Sequence, residues 1–491
     1  MRADLAPRYI APTSLALAVS LVLSMSSGAA DSSTSIRATS PTSDKGSKDA
    51  PYHVAPALLQ ARIPVTNCDD GGNGSLRGVL ENIAKSGDTV DLTELTCGLI
   101  TLTTGALVID QNTLTLQGPG AQFLKISGAG TQLDFYHRGI GQLTINDLTI
   151  ADGLNSQRDS AKGGCIRSNG YLSLNNTVVR DCIARTTTWF GSPDAVGGGA
   201  FSERGLEIFG TSILSNVAAH VGRASAPITD GGGIFSYGPI TVVHSYLAGN
   251  VSTGLGGAVA TIAGLQMSYT TIAGNNAHYV GGVSAEGEIT IESSAIVDNV
   301  AVRVGGLAVG GASMPTNALV HNTTISGNTG DFASGLAIYG GEVEVANCTI
   351  AFNASPGSPP GAGIVVNSDV LDLESTIVAD NTVNSSVSET QADIDGDGVV
   401  MGQDNLIVAP LIDVPSDTIG DDPQLLPLAD NGGLTPTHAL AMQSPAIDTG
   451  NNLLNAAYDQ RGVGFARDMG AGADIGAFEL FDERIFANGF E

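Results

Sequence analysis

An internal offset that never drifts constrains this chain more than any other feature of its sequence. Leu143, Leu172, Leu206, Ile240, Leu265, Ile289, Ala318, Val343 and Leu371 are each followed, seven residues on, by a β-branched residue or leucine: Ile150, Val179, Ile213, Leu247, Ile272, Ile296, Ile325, Ile350 and Val378. Ten residues after each start stands a turn position: Gly153, Cys182, then Asn216, Asn250, Asn275, Asn299, Asn328, Asn353 and Asn381. The distance from one start to the next varies, but the offset of ten does not. Spacing held inside a unit and relaxed between units marks a solenoid, whose insertions leave through loops on one side, such as residues 186–195.

No single unit can bury its apolar face. Coils stacked ~4.8 Å apart do so together, and they bring like residues into rows. The expected fold is therefore all-β, a right-handed parallel β-helix. Its seven turn asparagines should form an internal ladder, each amide bonding the coils above and below. A second row, at offset five, runs Leu148, Thr177, Thr211, Ser245, Thr270, Ser294, Thr323, Cys348 and Thr376. Cys348 replaces a hydroxyl there and reads as a buried structural thiol rather than a nucleophile. Glycine pairs at 163–164, 198–199, 232–233, 256–257, 281–282 and 305–306 are expected to permit tight corners. With no lysine after Lys162, they are not phosphate cradles.

The flanks differ in character. Arg2 and Arg8, an apolar run over 15–23 and small residues at 27–30 read as a secretory signal over 1–30. Residues 31–64 form a Ser/Thr/Pro-rich spacer. Over 65–142, Ser75 is a helix N-cap and Leu76, Val79, Leu80 and Ile83 make one apolar helical face, ahead of a first strand at 89–92. A short helix over the open end of a stack of strands protects its edges from other chains. The coils run over 143–420, a distinct segment covers 421–479 and a tail ends the chain at 480–491. Export permits disulfides, and Cys68–Cys97 across the cap and Cys165–Cys182 within one coil are the expected pairs.

The formal charge is −28, from 21 Lys and Arg against 49 Asp and Glu. Between Arg223 and Arg461 the only strong base is Arg303. Such a surface cannot displace counterions from nucleic acid or anionic membranes, and it disfavours polyanionic sugars such as pectate.

The fixed register also places outward-facing residues. Glu344 and Asp372 become neighbours on successive coils, with Glu374 beside them and a Glu292–His321 pair nearby. Two carboxylates ~5 Å apart suit a retaining glycosidase, one as acid and one as nucleophile. The competing reading is ordinary solvation of a strand's wet face. The scarcity of bases argues against a lyase. Asp393, Asp395, Asp397 and Asp404 have the spacing of a calcium loop, but it ends in Asp rather than Glu and no helix flanks it, so a polar insertion is the alternative.

Three segments resemble known families. Cys68-Asp69-Asp70-Gly71-Gly72-Asn73-Gly74-Ser75-Leu76-Arg77 with Gly87-Asp88-Thr89-Val90 resembles the CSLREA-type region that precedes β-helix repeats in bacterial surface proteins, with the name motif altered. The repeats resemble polymorphic outer-membrane-protein-like and pectate-lyase-like chains. Leu428-Ala429-Asp430-Asn431-Gly432-Gly433, Ser444-Pro445-Ala446-Ile447-Asp448, Asp459-Gln460-Arg461-Gly462 and Asp474-Ile475-Gly476-Ala477-Phe478-Glu479 are similar to the choice-of-anchor Q module. The resemblance implies a module that closes a surface β-helix ahead of an anchoring signal. On physical grounds Arg461 and Arg467, among Asp448, Asp459, Asp474 and Glu479, should hold a cap on the last coil. The ending Ile485-Phe486-Ala487-Asn488-Gly489-Phe490-Glu491 is similar to short tails on exported proteins of some Gram-negative bacteria, or is a strand that finishes the fold.

The expectation is an exported, monomeric, adhesin-like scaffold whose partner is a surface polysaccharide or a protein of a host or neighbouring cell. The alternative is a glycoside hydrolase-like enzyme acting on a neutral polysaccharide.

Overall fold

The computed structural model describes residues 60–188, 191–222, 228–311, 315–357, 362–367, 369–384 and 389–481. The leader, nearly all of the spacer and the tail beyond residue 481 lie outside the described residues. The chain winds through four strands per coil. One coil shows the path: Leu265–Ser268, Thr271–Ala273, Asn276–Ala277, Val283–Ala285, then Glu288–Glu292 beneath the starting strand. Stacking generates a first sheet of 13 strands, a second of 12, a short third of six and a fourth of 11, all parallel within themselves. The result is a right-handed parallel β-helix.

Register follows the offsets. Leu265 pairs with Ile289, Ile272 with Ile296 and Val283 with Leu307, so their side chains pile into one continuous buried core. The turn asparagines stand in a row: Asn216 Nδ2 donates to Asn250 Oδ1, and the same bond recurs at 2.9 Å through Asn275, Asn299, Asn328, Asn353 and Asn381. At offset five the backbone N–H of Thr177, Thr211, Ser245, Thr270, Ser294 and Cys348 donates to the hydroxyl of the next coil, as from Thr177 to Thr211 and from Thr211 to Ser245 (both 3.2 Å). Cys348 sits in that row, fully buried, and burial pushes its thiol up to about 12.

The corners match expectation in part: of the glycine pairs, Gly163 and Gly256 are left-handed, with φ of 69° and 59°. Tight left-handed positions also fall at offsets four and nine, and mostly on residues other than glycine: Asn176, His244, Tyr269, Asn322 and Asn347 at four, Asp181, Asp298 and Asp380 at nine, with φ from 47° to 58°. Glycines of these pairs also serve close approach. A Cβ on Gly198 would meet the Gly232 carbonyl oxygen at 2.1 Å, and one on Gly164 would meet that of Gly198 at 2.1 Å.

The helix Leu76–Asn82 covers the N-terminal end. Ser75 Oγ accepts from Gly78 N, and Leu76, Val79 and Leu80 enter the core. Ile83 does not join them: the helix ends one residue earlier, which leaves Ile83 53% exposed at the C-cap. Arg62–Pro64, at the end of the segment read as spacer, is a strand paired parallel with Thr89–Asp91. The disulfides are Cys68–Cys97 and Cys165–Cys182, and Cys348 is free. No helix among the described residues is long and apolar enough to cross a membrane.

At the other end, Ile412 and Val414 pack against the core. Residues 421–479 therefore do not cap the last coil. They lie along the flank, over the outer face of the second sheet. Thr435 Oγ1 donates to the Ser293 carbonyl, Thr324 Oγ1 to Gln460 Oε1 (2.6 Å), and Ala477 N to Thr349 Oγ1 (3.0 Å), with Ser326 Oγ paired to His438 Nε2 at 2.8 Å. Ile377, Ala379 and Leu406 join Leu440, Ala446, Ile475 and Phe478 in a separate small core.

Arg461 holds this strap by a fork on Asp459 (Nη2 to Oδ2, 2.6 Å) and lies between the Phe465 and Phe478 rings at 4.0 and 3.8 Å. Arg467 is not paired in that way. It is fully buried, donates to the Asp474 carbonyl and stands 4.0 Å from Glu479.

Candidate functional site

Strands of the first sheet alternate inward apolar and outward polar residues, so each outward column is a ladder of side chains spaced ~4.8 Å apart. Over five coils three such columns form a concave surface. The outer column runs Glu288, Asn317, Glu342, Val370 and Val399, and the middle one Thr290, Leu319, Glu344, Asp372 and Met401. The column nearest the corner runs Glu292, His321, Ala346, Glu374 and Gln403. Together the first two columns line a cleft of about 580 Å³.

Its lining mixes carboxylates with apolar surface. Glu288, Glu342, Glu344 and Asp372 face it, and Leu319, Val370 and Met401 supply the apolar patches. Asn317 Nδ2 donates to Glu288 Oε1 (2.8 Å), which fixes that carboxylate. Glu344 and Asp372 are direct register partners and both are partly buried.

The other two candidates stand apart from this cleft. Glu374 lies at the corner, where Asn451 of the strap donates Nδ2 to Glu374 Oε2 (3.3 Å) and to Asp404 Oδ2 (2.9 Å). Burial pushes the Glu374 carboxyl upward against the Asn451 bond, and Asp372, Asp404 and Glu344 add to the rise. His321 is two coils away in the corner column, with its side chain 14% exposed and Nε2 4.0 Å from Glu292 Oε2. Burial lowers its pKa, with Glu292 opposing. The structure therefore brings Glu344 and Asp372 together in the cleft, keeps Glu374 outside it but near enough to feel their charges, and sets His321 two coils from Asp372.

The four aspartates of the expected calcium loop do not converge. Asp393 points into the core as the terminal acceptor of the asparagine ladder: Oδ1 accepts from Asn381 Nδ2 (2.9 Å) and Oδ2 from Ala409 N (2.8 Å). Asp395 Oδ1 accepts from Gly396 N, and Asp404 turns to the strap. Among the described residues no three His, Cys, Asp or Glu side chains gather as a cation site.

Sequence reasoning missed Asn451, the strap residue that ties up Glu374. One signal was available: the outward residues of the second sheet are Tyr246 on an early coil, but Ala295, Thr324, Thr349 and Ile377 on later ones, small or apolar as a covered face requires.

No family model and no curated protein matches this chain. Among solved structures it is similar to the pectate lyase Pel9A, at 11% identity and TM-score 0.36, over 86% of this chain and 96% of that one. It is also similar to the alginate lyase AlyF-OU02 in complex with G6, at 12% identity and TM-score 0.41, over 79% and 92%. The β-helix rests on this chain's own strand pairing.

Proposed function

We propose that this protein is an exported scaffold whose first sheet binds a neutral, hydroxyl-rich glycan without turning it over. The observation that carries this reading is the lining of the cleft. Carboxylates, among them Glu288 held by Asn317, accept sugar hydroxyls, while Leu319, Val370 and Met401 meet C–H faces, and the stacked coils repeat that surface along an extended ligand. The acidity that would repel a polyuronate costs nothing toward an uncharged chain. The resemblance to surface-protein modules supports an exterior location, as do the leader-like N-terminus and the two disulfides.

A panel of neutral oligosaccharides, assayed for binding and product formation, tests it. Binding without products is expected, and Glu344→Gln should weaken it about tenfold, the loss of about 1.5 kcal/mol typical of a hydrogen bond to a charged group. No binding by the wild type to any panel member would sink the proposal.

One observation favours a second reading, a glycosidase: Glu344 and Asp372 are paired across adjacent strands inside the cleft. Products formed by the wild type and abolished in Glu344→Gln would establish it.

A further inference from the structure

A second cleft, of about 390 Å³, has the opposite electrical character. It opens between the fourth sheet and Leu154–Gln157, the edge strand of the third sheet. In a chain with 49 acids its lining contains none. It contains Arg167 instead, on the strand Ile166–Ser168, with Tyr136 beside it on Phe135–His137.

Three observations set this arginine apart. Its guanidinium lies over the Tyr136 ring at 4.7 Å, and among the described residues it makes no ion pair and no hydrogen bond. Its Nε is buried with no acceptor. Gln132, also lining the cleft, buries Nε2 with no acceptor either. On the rim Arg185 reaches Ser156 Oγ at 3.3 Å and likewise has no acid partner among the described residues. Arg138, by contrast, is paired with Asp110, and Lys162 with Glu203. Those two bases find acids, whereas no carboxylate lines the cleft around Arg167.

A planar guanidinium over an aromatic ring presents its terminal N–H groups as a fork that matches a carboxylate. Thr131, Ser156 and Gln157 around it offer hydroxyl and amide groups to sugar hydroxyls. We infer that this cleft binds the carboxylate of an acidic sugar, with Arg167 as anchor and the Gln132 amide as second donor. The acid-rich remainder of the surface limits the ligand to an acidic residue presented singly, at a chain end or branch. The inference is independent of the first-sheet cleft and its neutral ligand.

Calorimetric titration of the full chain with glucuronate, glucose and inorganic sulfate at low ionic strength tests it. Glucuronate should bind at least tenfold more tightly than glucose, which lacks the carboxylate, and than sulfate, which lacks the sugar. Arg167→Gln should lose at least tenfold in glucuronate affinity, while Glu344→Gln, in the other cleft, should leave it unchanged. Should Arg167→Gln fail to fold, Gln132→Leu serves, with a several-fold loss at an unchanged melting midpoint. Glucuronate binding no better than glucose, equal binding of sulfate, or full affinity in the Arg167 or Gln132 variant would each overturn the assignment.

Discussion

The ladder ends on an acid, and the reason lies in how many donors must be satisfied there. Asn381 presents its backbone N–H and its amide to Oδ1 of Asp393 while Ala409 N presents a third donor to Oδ2, so both oxygens must accept. An asparagine would turn an amide N–H₂ toward one of those donors. Burial outweighs the three bonds and pushes the Asp393 carboxyl up to about 6. A native pKa above the unfolded value, ~3.9, means the folded protein holds the extra proton between pH ~4 and ~6, so this group's contribution to stability falls as pH rises through that window. Asp393→Asn, which does not titrate, should be destabilised by about 1–3 kcal/mol near pH 4, and its stability relative to the wild type should rise by roughly 2–3 kcal/mol by pH 7.5, enough to cancel or reverse that deficit. Denaturant midpoints of both proteins at the two pH values check this, and a deficit that widens with pH refutes it. Within the ladder, Asn299→Ala strands two donors of Asn275 and removes the amide's own bonds to Asn328 and Ile272, and should cost about 3–5 kcal/mol. At the ladder's first member, Asn216, the coil before supplies the Cys182 N–H and no asparagine, so Asn216→Ala should cost less in the same assay.

Among the elements, the flanking strap invites the sharpest test. Arg461 is 7% exposed and its carboxylate partner Asp459 is fully buried, so truncating the arginine leaves a charge without a partner. Arg461→Ala should cost the strap about 3–5 kcal/mol and free residues 421–479 from the second sheet while the coils stay folded. Hydrogen exchange would show this as new exchange confined to the strap and the outer coils beneath it; global exchange instead would mean that the strap and the solenoid unfold as one unit. How much of this was legible beforehand depended on range. The first and second sheets, the helix at 76–82 and the inward rows could be written from the sequence, because each follows from residues a fixed few positions apart. The third sheet keeps a constant offset too, each strand starting eleven residues after Leu143, Leu172, Leu206, Ile240, Leu265 or Ile289, but its short strands carry no periodic pattern of their own. The fourth lies beyond Gly-rich stretches of variable length, where the offset from the preceding start is lost. The strap's position was illegible for another reason. Arg461 and Asp459 announce a buried pair, but Thr324 with Gln460 and Ser326 with His438 join residues more than 100 positions apart, and no local pattern encodes which flank they choose. Of the candidate site, the pairing of Glu344 with Asp372 was readable from register, whereas the removal of Glu374 by Asn451 was not.

For the whole molecule, two facts oppose one another: the core is a single column open in principle at both ends, and the charge is −28. Leu76, Val79 and Leu80 close one end of that column, and replacing Leu80 by Asp would lift the helix from it and bare the edge of the first coil. Bare parallel edges pair with one another, so this variant should associate end to end. Two molecules of such high negative charge repel, though, and at 10 mM salt the repulsion reaches ~30 Å, well beyond the few ångströms at which strands first meet. At 0.5 M salt it is screened to a few ångströms, and the apolar contact, which salt does not weaken, then decides the outcome. Leu80→Asp should therefore sediment as a monomer at 10 mM sodium chloride and as oligomers at 0.5 M, while the wild type keeps one sedimentation coefficient at both. Oligomers already present at low salt would show that the negative charge offers the open end no protection, and that the helix alone keeps these molecules apart.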